Sequence, residues 1–430
     1  MDLSKKVLED MRNMTLGVMP VRGGRKNMEE RDASLWDVIY IVPAQSSIAP
    51  FDPRREGKGF YKRKRYGNRY SRGFELTFPF VITAMSYGAI GRSAKLAVHN
   101  ACNKLAEDGI VIGVNTGEGG GLDFELDKAN RKYVLIGQLA SGRFGINERY
   151  LDSIDALEIK IGQGAKTGTG GHLLASKVTD DIANIREIRP GLDAISFSRH
   201  IDIVGPEDLT AKIMEIRNIR YWDDKSVIVK YGAANVAADV QIAVKAGTDI
   251  VAVDGAEGAT GAAPVIFLEH VGKYTVPSIK EARRAIDSLV GYQYKSLMKK
   301  DTSVEYSSVN LLSSGGIYTV DRAVKALALG SDMIGGSTSI MIAMGCSPCG
   351  LCHEGKCKQG IATHDSEYEK KLDIDKASEG VYNYVISLRK GIKEVLMAAG
   401  YDQLTSVTTE KLSTTSLAMH EMTGIKMQGV

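Results

Sequence analysis

The sequence predicts an α/β protein built on a (β/α)₈ barrel, and three observations predict it. Short apolar runs recur from residue 79 onward, most of them separated by stretches with the spacing of an amphipathic helix. That alternation builds a parallel sheet with crossover helices. Gly, Ser or Asn stands at or just beyond the end of most runs, so polar residues gather at the C-terminal strand ends, where barrels place their chemistry. The rival fold, a doubly wound open sheet, requires a Gly-x-Gly-x-x-Gly turn after an early strand, and none is present there.

Residues 1–75 read as an N-terminal arm, irregular and rich in charge. Its basic, aromatic stretch RKRYGNRYSR (63–72) reads as a solvated arm or subunit contact, with an electrostatic binding patch as the alternative. Residues 76–344 hold the barrel. The candidate strands are PFVITAMS (79–86), IVIGVNTG (110–117), YVLIGQLA (133–140), ALEIKIGQ (156–163), AISFS (194–198), VIVKYGA (227–233), IVAVDGA (250–256), VNLLSSGG (309–316) and MIGGST (333–338). That is one strand too many for an eight-stranded barrel, so one is a loop excursion, and the sequence does not identify which. Residues 345–365 form a cysteine- and glycine-rich loop. Residues 366–430 form a C-terminal helical tail with one clear amphipathic helix, GVYNYVISLRKGIKEVLMAAG.

Bulk composition excludes several classes. The 430 residues are 43% hydrophobic and 25% charged, ordinary for a globular protein. With 55 basic and 52 acidic residues the net charge is +3, which gives no reason to expect nucleic acid or a membrane surface as partner. The start, MDLSKKVLEDMRN, has no apolar core and does not read as a signal peptide. No apolar run approaches the ~18 residues that span a bilayer, so a cytoplasmic location is expected.

Two stretches carry chemistry. SSGG (313–316) and GGST (335–338) follow the last two apolar runs. Glycine lets a ligand approach backbone N–H groups closely, and the last two strand–helix loops of a barrel often bind phosphate. Gly315, Gly316, Gly335, Gly336 and Ser337 are therefore candidates; the phosphate of FMN and that of a sugar remain open. The second stretch is GCSPCGLCHEGKCKQG. Four of the five cysteines, Cys346, Cys349, Cys352 and Cys357, lie within it, and Cys102 stands alone. Such a cluster reads as a metal or iron–sulfur site rather than a disulfide framework. Spacing leaves zinc open, with His353 able to replace one thiolate; a flavin nearby favours iron–sulfur, because electron transfer needs redox iron.

At MSYGAIGRSAK (85–95), NTGEGG (115–120), QLASGRFG (138–145), KIGQGAKTGTGG (160–171) and the cysteine loop running into GIATHD (360–365), the chain resembles the synthase domain of glutamate synthases over roughly residues 75–400. SRHIDIVGPEDLTAKIMEIR (198–217), VKYGAANVAADVQIAVKAG (229–247), DGAEGATGAAPVIFLEHVG (254–272) and TEKLSTTSLAMHEMTGIKMQG near the C-terminus resemble a separate-subunit branch typified by the catalytic subunit of N-methylglutamate synthase. The resemblance implies an FMN- and iron–sulfur-dependent enzyme. It condenses ammonia with 2-oxoglutarate to 2-iminoglutarate, and hydride from reduced FMN completes glutamate. It implies a three-iron cluster on Cys346, Cys352 and Cys357, and a flavin bounded by Met85, Ser86, Gln138 and Lys230, with Lys160 a second contact. It places the keto acid on Glu118, Lys166, Arg186 and Ser196, of which the cations Lys166 and Arg186 suit a dicarboxylate. It also implies a separate glutaminase-type subunit, an electron-donor subunit and an oligomer.

The departures fall in the substrate loop. The usual PGEGGQ is TGTGGHL here, bringing in His172, and the usual PPPHHD is FSRHID, bringing in Arg199. Both are candidates for substrate contact. Cys349 has no counterpart in the family's loop, which leaves a four-iron cluster open. Two other functions fit parts of the sequence. An FMN-dependent 2-hydroxy-acid oxidase or dehydrogenase would share the barrel but not the cysteine loop, and a non-catalytic electron-transfer or scaffold subunit would keep the fold without turnover.

Overall fold

The computed structural model describes residues 5–17, 34–67, 71–219, 222, 225–261, 263–289 and 309–430. In the N-terminal arm, Val7, Leu8 and Met11 share one face of helix α1 (Lys5–Thr15) and pack on Tyr318, Ile342 and Cys346. Strand β1 (Ile39–Ile41) follows, then the antiparallel pair β2 (Lys64–Tyr66) and β3 (Phe74–Leu76).

The apolar runs then become β4 (Phe80–Ile82), β5 (Gly113–Asn115), β6 (Val134–Leu139), β7 (Ala156–Lys160), β8 (His172–Leu173), β9 (Ala194–Ile195), β10 (Ser226–Gly232), β11 (Ile250–Asp254), β12 (Asn310–Ser314) and β13 (Met333–Gly336). Eight of them, β4 to β7 and β10 to β13, close into one parallel barrel, with β13 pairing back onto β4. The predicted (β/α)₈ barrel is thus the observed fold. The surplus run is 194–198: β9 pairs antiparallel with β8 in a two-stranded ribbon outside the barrel. Ile195, which would point inward in a barrel strand, is 53% exposed.

Between and after these strands lie α2 (Arg92–Glu107), α3 (Asp123–Leu126), α4 (Glu148–Ser153), α5 (Asp180–Arg186), α6 (Pro206–Arg217), α7 (Val236–Ala246), α8 (Val265–His270), α9 (Thr275–Asp287), α10 (Val320–Leu329) and α11 (Thr338–Ala343). The tail adds α12 (Ser366–Glu369), α13 (Ile374–Ala398), β14 (Leu412–Thr414), α14 (Leu417–Thr423) and β15 (Lys426–Met427). The predicted tail helix is α13, and it packs on α2, α1, α10 and α11. Strand β14 pairs antiparallel with β1, so the arm and the tail meet. No helix of the described residues is long and apolar enough to cross a membrane.

The barrel interior is filled by Val81, Val134, Ile136, Ala156, Ile228, Ile250, Ala252, Leu312 and Met333. Tyr66, Phe74 and Leu76 of β2 and β3 join the same cluster and close its floor. This revises the reading of the basic stretch 63–72. Tyr66 is 2% exposed and its backbone carbonyl accepts from Ser226 Oγ at 2.8 Å, while Arg63 and Arg65 hold Glu75 at the surface. The aromatic ring serves the core and the arginines stay wet; residues 68–70 of the stretch lie outside the described residues.

Candidate active site

The open end of the barrel is built from strand ends whose register sets polar and charged residues level with one another. Gln138 on β6 is level with Glu158 on β7, and Lys160 on β7 is level with Lys230 on β10. Gln138 donates its side-chain amide to Glu158 Oε1 at 2.6 Å. Lys230 stands 3.5 Å from Asp254 on β11, which also receives the Ser314 hydroxyl at 2.7 Å. Asp254 and Glu158 hold the Lys230 ammonium above its usual range against the pull of burial. Glu158 and Asp254 were not singled out in the sequence; a lone carboxylate inside an apolar strand run was the available signal, because burying one requires a partner.

Above this layer, Glu118 follows β5 and is the centre of a charged cluster. Its Oε2 lies 3.3 Å from Lys160 Nζ and accepts from Ser196 Oγ at 3.3 Å. Burial alone would raise its carboxyl, but Lys160, Arg186 and Lys166 together hold it below the usual range. Three cations therefore surround one carboxylate. The Lys166 ammonium is pulled down by burial and by Lys160 and is supported by Glu118.

Arg186, at the end of α5, is 2% exposed. One guanidinium nitrogen donates to the Tyr87 carbonyl at 3.0 Å, and Nε is buried with no hydrogen-bond partner. A buried donor left unpaired is costly, about 1–3 kcal/mol, so this atom points to a ligand that supplies an acceptor. Two glycines make the packing possible. At Gly119 (φ +101) a Cβ would lie 2.8 Å from Arg186 Cζ, and at Gly171 it would lie 2.2 Å from Glu118 Oε1.

The structure thus brings Glu118, Lys160, Lys166, Arg186 and Ser196 together, with Met85 and Ser86 on the neighbouring β4 loop: Arg186 reaches Ser86 Oγ at 3.4 Å. It leaves His172 and Arg199 outside the cluster. His172 Nε2 pairs with Asp193 Oδ2 at 2.7 Å on the exposed face of the ribbon, and Arg199 is exposed. The neighbour of Arg199 is the buried one. His200 Nε2 donates to the Lys160 carbonyl at 2.7 Å, and its Nδ1 accepts from Arg143 at 3.0 Å. His200 therefore holds the backbone that presents Lys160.

The strand ends of β12 and β13 place the two glycine pairs side by side. Gly315 and Gly316 have φ of +99 and +72, and a Cβ at Gly335 would strike Thr83 Cγ2 at 2.5 Å. Together with buried Lys230 and Gln138, these glycine-lined strand ends offer the cation, amide and open backbone that a bound FMN would need.

In the cysteine loop all four thiols are free. Cys346 and Cys357 pack on the main core, Cys352 is half-buried, and Cys349 and His353 are exposed. Burial, with Cys352, Cys357 and Cys349 close by, pushes the Cys346 thiol up to about 12. Among the described residues no three His, Cys, Asp or Glu groups stand at metal-holding distances. Cys346, Cys352 and Cys357 are each half-buried on this one glycine-bent loop, and thiols in such a setting are the donor type that an iron–sulfur group would use.

Residues 62–402 match the family described as a conserved region in glutamate synthase. The chain is 37% identical over 394 residues to the archaeal glutamate synthase (NADPH) of Methanocaldococcus jannaschii, covering 90% of this chain and 72% of that protein. It is 33% identical over 438 residues to a glutamate synthase large subunit-like protein of Rhizobium meliloti, covering 98% and 93%. Against the archaeal-type glutamate synthase (NADPH) of Thermotoga maritima it is 36% identical and spans 66% of that protein. Among solved structures, a mutant flavocytochrome b2 with benzoylformate superposes with a TM-score of 0.51 at 11% identity, covering 97% of this chain and 80% of that one. A putative lactate oxidase of Pediococcus acidilactici gives 0.51 at 14%, covering 95% and 93%. These two likenesses concern the fold alone.

Proposed function

The chain belongs to the glutamate synthase family, and from that premise we propose that it is an FMN- and iron–sulfur-dependent oxidoreductase subunit that forms glutamate from 2-oxoglutarate and ammonia. The observation that carries the reading is the Glu118 cluster. Three buried or half-buried cations around one carboxylate leave an excess of positive charge at the barrel mouth, and a dicarboxylate supplies the complement. The unpaired Arg186 Nε is a ready donor for one of its oxygens.

Cys346, Cys352 and Cys357 would hold the iron–sulfur group, which would supply electrons, and FMN when bound would supply the hydride. The remaining work is done by the chain. Lys166 and Arg186 bind and orient the two carboxylates of the keto acid. Glu118, kept ionised by its neighbours, takes a proton from the nitrogen as ammonia adds to the keto carbon and returns it to the departing hydroxyl, which leaves as water and gives 2-iminoglutarate. Gln138, Lys160 and Lys230 would hold the flavin ring from the strand ends, and Gly315, Gly316, Gly335, Gly336 and Ser337 would hold its phosphate. Ammonia comes from a separate glutaminase-type subunit and electrons from a donor subunit.

The test is anaerobic. Reduced protein is mixed with ammonia and 2-oxoglutarate, and the return of oxidised flavin absorbance is followed together with glutamate formation. In parallel, methylamine and glutamate are supplied without reductant. If N-methylglutamate forms while the reduced flavin ignores 2-oxoglutarate and ammonia, the chain belongs to the branch that joins methylamine to glutamate and the proposed substrate is wrong. Flavin without iron, reoxidised by a 2-hydroxy-acid's keto product, would instead mark a 2-hydroxy-acid dehydrogenase.

A further inference from the structure

The excursion between β7 and β10 does more than carry Lys166, Arg186 and Ser196 to the charged cluster. Midway it touches the cysteine loop through Lys177, in the single 3₁₀ turn Ala175–Lys177. The Lys177 ammonium donates to the Cys352 carbonyl at 2.8 Å. Its stem runs beneath Gly355, where a Cβ would lie 3.1 Å from Lys177 Cε. No carboxylate among the described residues stands within ion-pair distance of it. A half-buried ammonium bound to the Cys352 carbonyl, with no carboxylate in reach, is placed to serve an anionic group held by this loop.

We propose that Lys177 is a positioning residue for the iron–sulfur group, pinning the Cys352 turn and setting a positive charge beside the cluster. The proposal rests on the reading that Cys346, Cys352 and Cys357 hold that group. Two consequences follow. A cation next to a redox centre favours the form carrying the extra electron, so Lys177 raises the cluster's reduction potential. Because Lys177 and Arg186 lie on the same excursion, three residues before and at the end of α5, the keto-acid site and the electron entry point are held by one segment.

The experiment compares the anaerobically prepared wild type with Lys177→Met and Lys177→Arg, reading iron and flavin content and then the cluster midpoint by spectroscopically monitored redox titration. The expected result is a more negative midpoint in Lys177→Met at unchanged flavin content, with Lys177→Arg near the wild type because it keeps the charge and the donor. Loss of iron from Lys177→Met that Lys177→Arg restores also supports the proposal. An iron-bearing Lys177→Met with the wild-type midpoint overturns it, as does loss of iron from both variants with flavin retained. A wild type that binds flavin but no iron sinks the cluster reading itself, which is a different failure.

Discussion

Arg186 is where buried charge and unpaired donor coincide, so its replacement separates binding from architecture. Arg186→Ala removes a carboxylate partner and is expected to lower kcat/KM for 2-oxoglutarate by about 2–4 kcal/mol of transition-state stabilisation. Arg186→Lys should recover part of the charge but not the two-pronged grip. Equal rates in wild type and Arg186→Ala would mean that the carboxylates are held elsewhere. His200 gives a second prediction at this scale. Its Nε2–H serves the Lys160 carbonyl and its Nδ1 accepts from Arg143, so the folded state requires the neutral ring, and burial lowers its pKa. An unfolded histidine titrates near 6.5. Below that pH the unfolded chain takes up a proton that the folded one refuses, so this contribution is present above about 6.5 and is lost as the pH falls. Thermal unfolding at about pH 7.5 and about pH 5.5 should therefore show a smaller acid-induced drop in His200→Gln than in wild type. Buried His99 and half-buried His364, both with pKa values lowered by burial, leave a residual slope in each. An undiminished slope in the variant would refute the neutral-ring assignment. Glu118 and Lys166 stood out because they sit in glycine-rich motifs, whereas Arg186 and Ser196 were singled out only through the family resemblance. Glu158, His200 and Lys177 were not, because what each does depends on a partner far away in the sequence.

At the scale of elements, the eight barrel strands were legible from their apolar runs, and the ninth was not separable from them by composition. Ala194–Ile195 has the residue types of a strand, but it pairs with His172–Leu173 because the loop carrying Arg186 folds back on itself. The tail helix was likewise legible, but not its neighbours. Gly380 on α13 shows why they matter: a Cβ there would sit 2.1 Å from the Ala343 carbonyl at the end of α11. Helix propensity alone says that Gly→Ala stabilises by roughly 1 kcal/mol. The clash says the reverse, and Gly380→Ala is expected to cost about 1–3 kcal/mol in denaturant unfolding as α13 is forced away. A stabilised variant would show that the helices part freely. In the cysteine loop, exposure divides the four thiols. Serine at Cys346, Cys352 or Cys357 should abolish the visible cluster absorbance and bound iron, whereas Cys349→Ser, changing the exposed thiol, should retain both. Stoichiometric zinc in place of iron in the anaerobic wild type would overturn the assignment.

Across the whole molecule, the arm and the tail come together where sequence reading could only describe them separately. Pairing of Ile39–Ile41 with Leu412–Thr414 joins segments more than three hundred residues apart, a contact that no local pattern announces. The same long-range view bears on nitrogen supply. Glutamine hydrolysis in this family's amidotransferases uses a cysteine nucleophile, and a thiol must be reachable and readily ionised to attack an amide. Cys102 meets neither condition: it is fully buried in α2 and burial pushes its thiol far above the usual range. The remaining four cysteines all lie in the loop assigned to the cluster. The barrel mouth, by contrast, sets three cations around the Glu118 carboxylate, the site proposed for the keto acid and ammonia. The purified chain, reduced anaerobically and given 2-oxoglutarate, should therefore form glutamate from ammonia and not from glutamine. Adding an independent glutaminase should restore the glutamine-dependent rate to that of the ammonia it releases. Glutaminase activity in the chain alone that survives Cys102→Ala would mean that another group does the hydrolysis, and the need for a separate glutaminase subunit would fall with it.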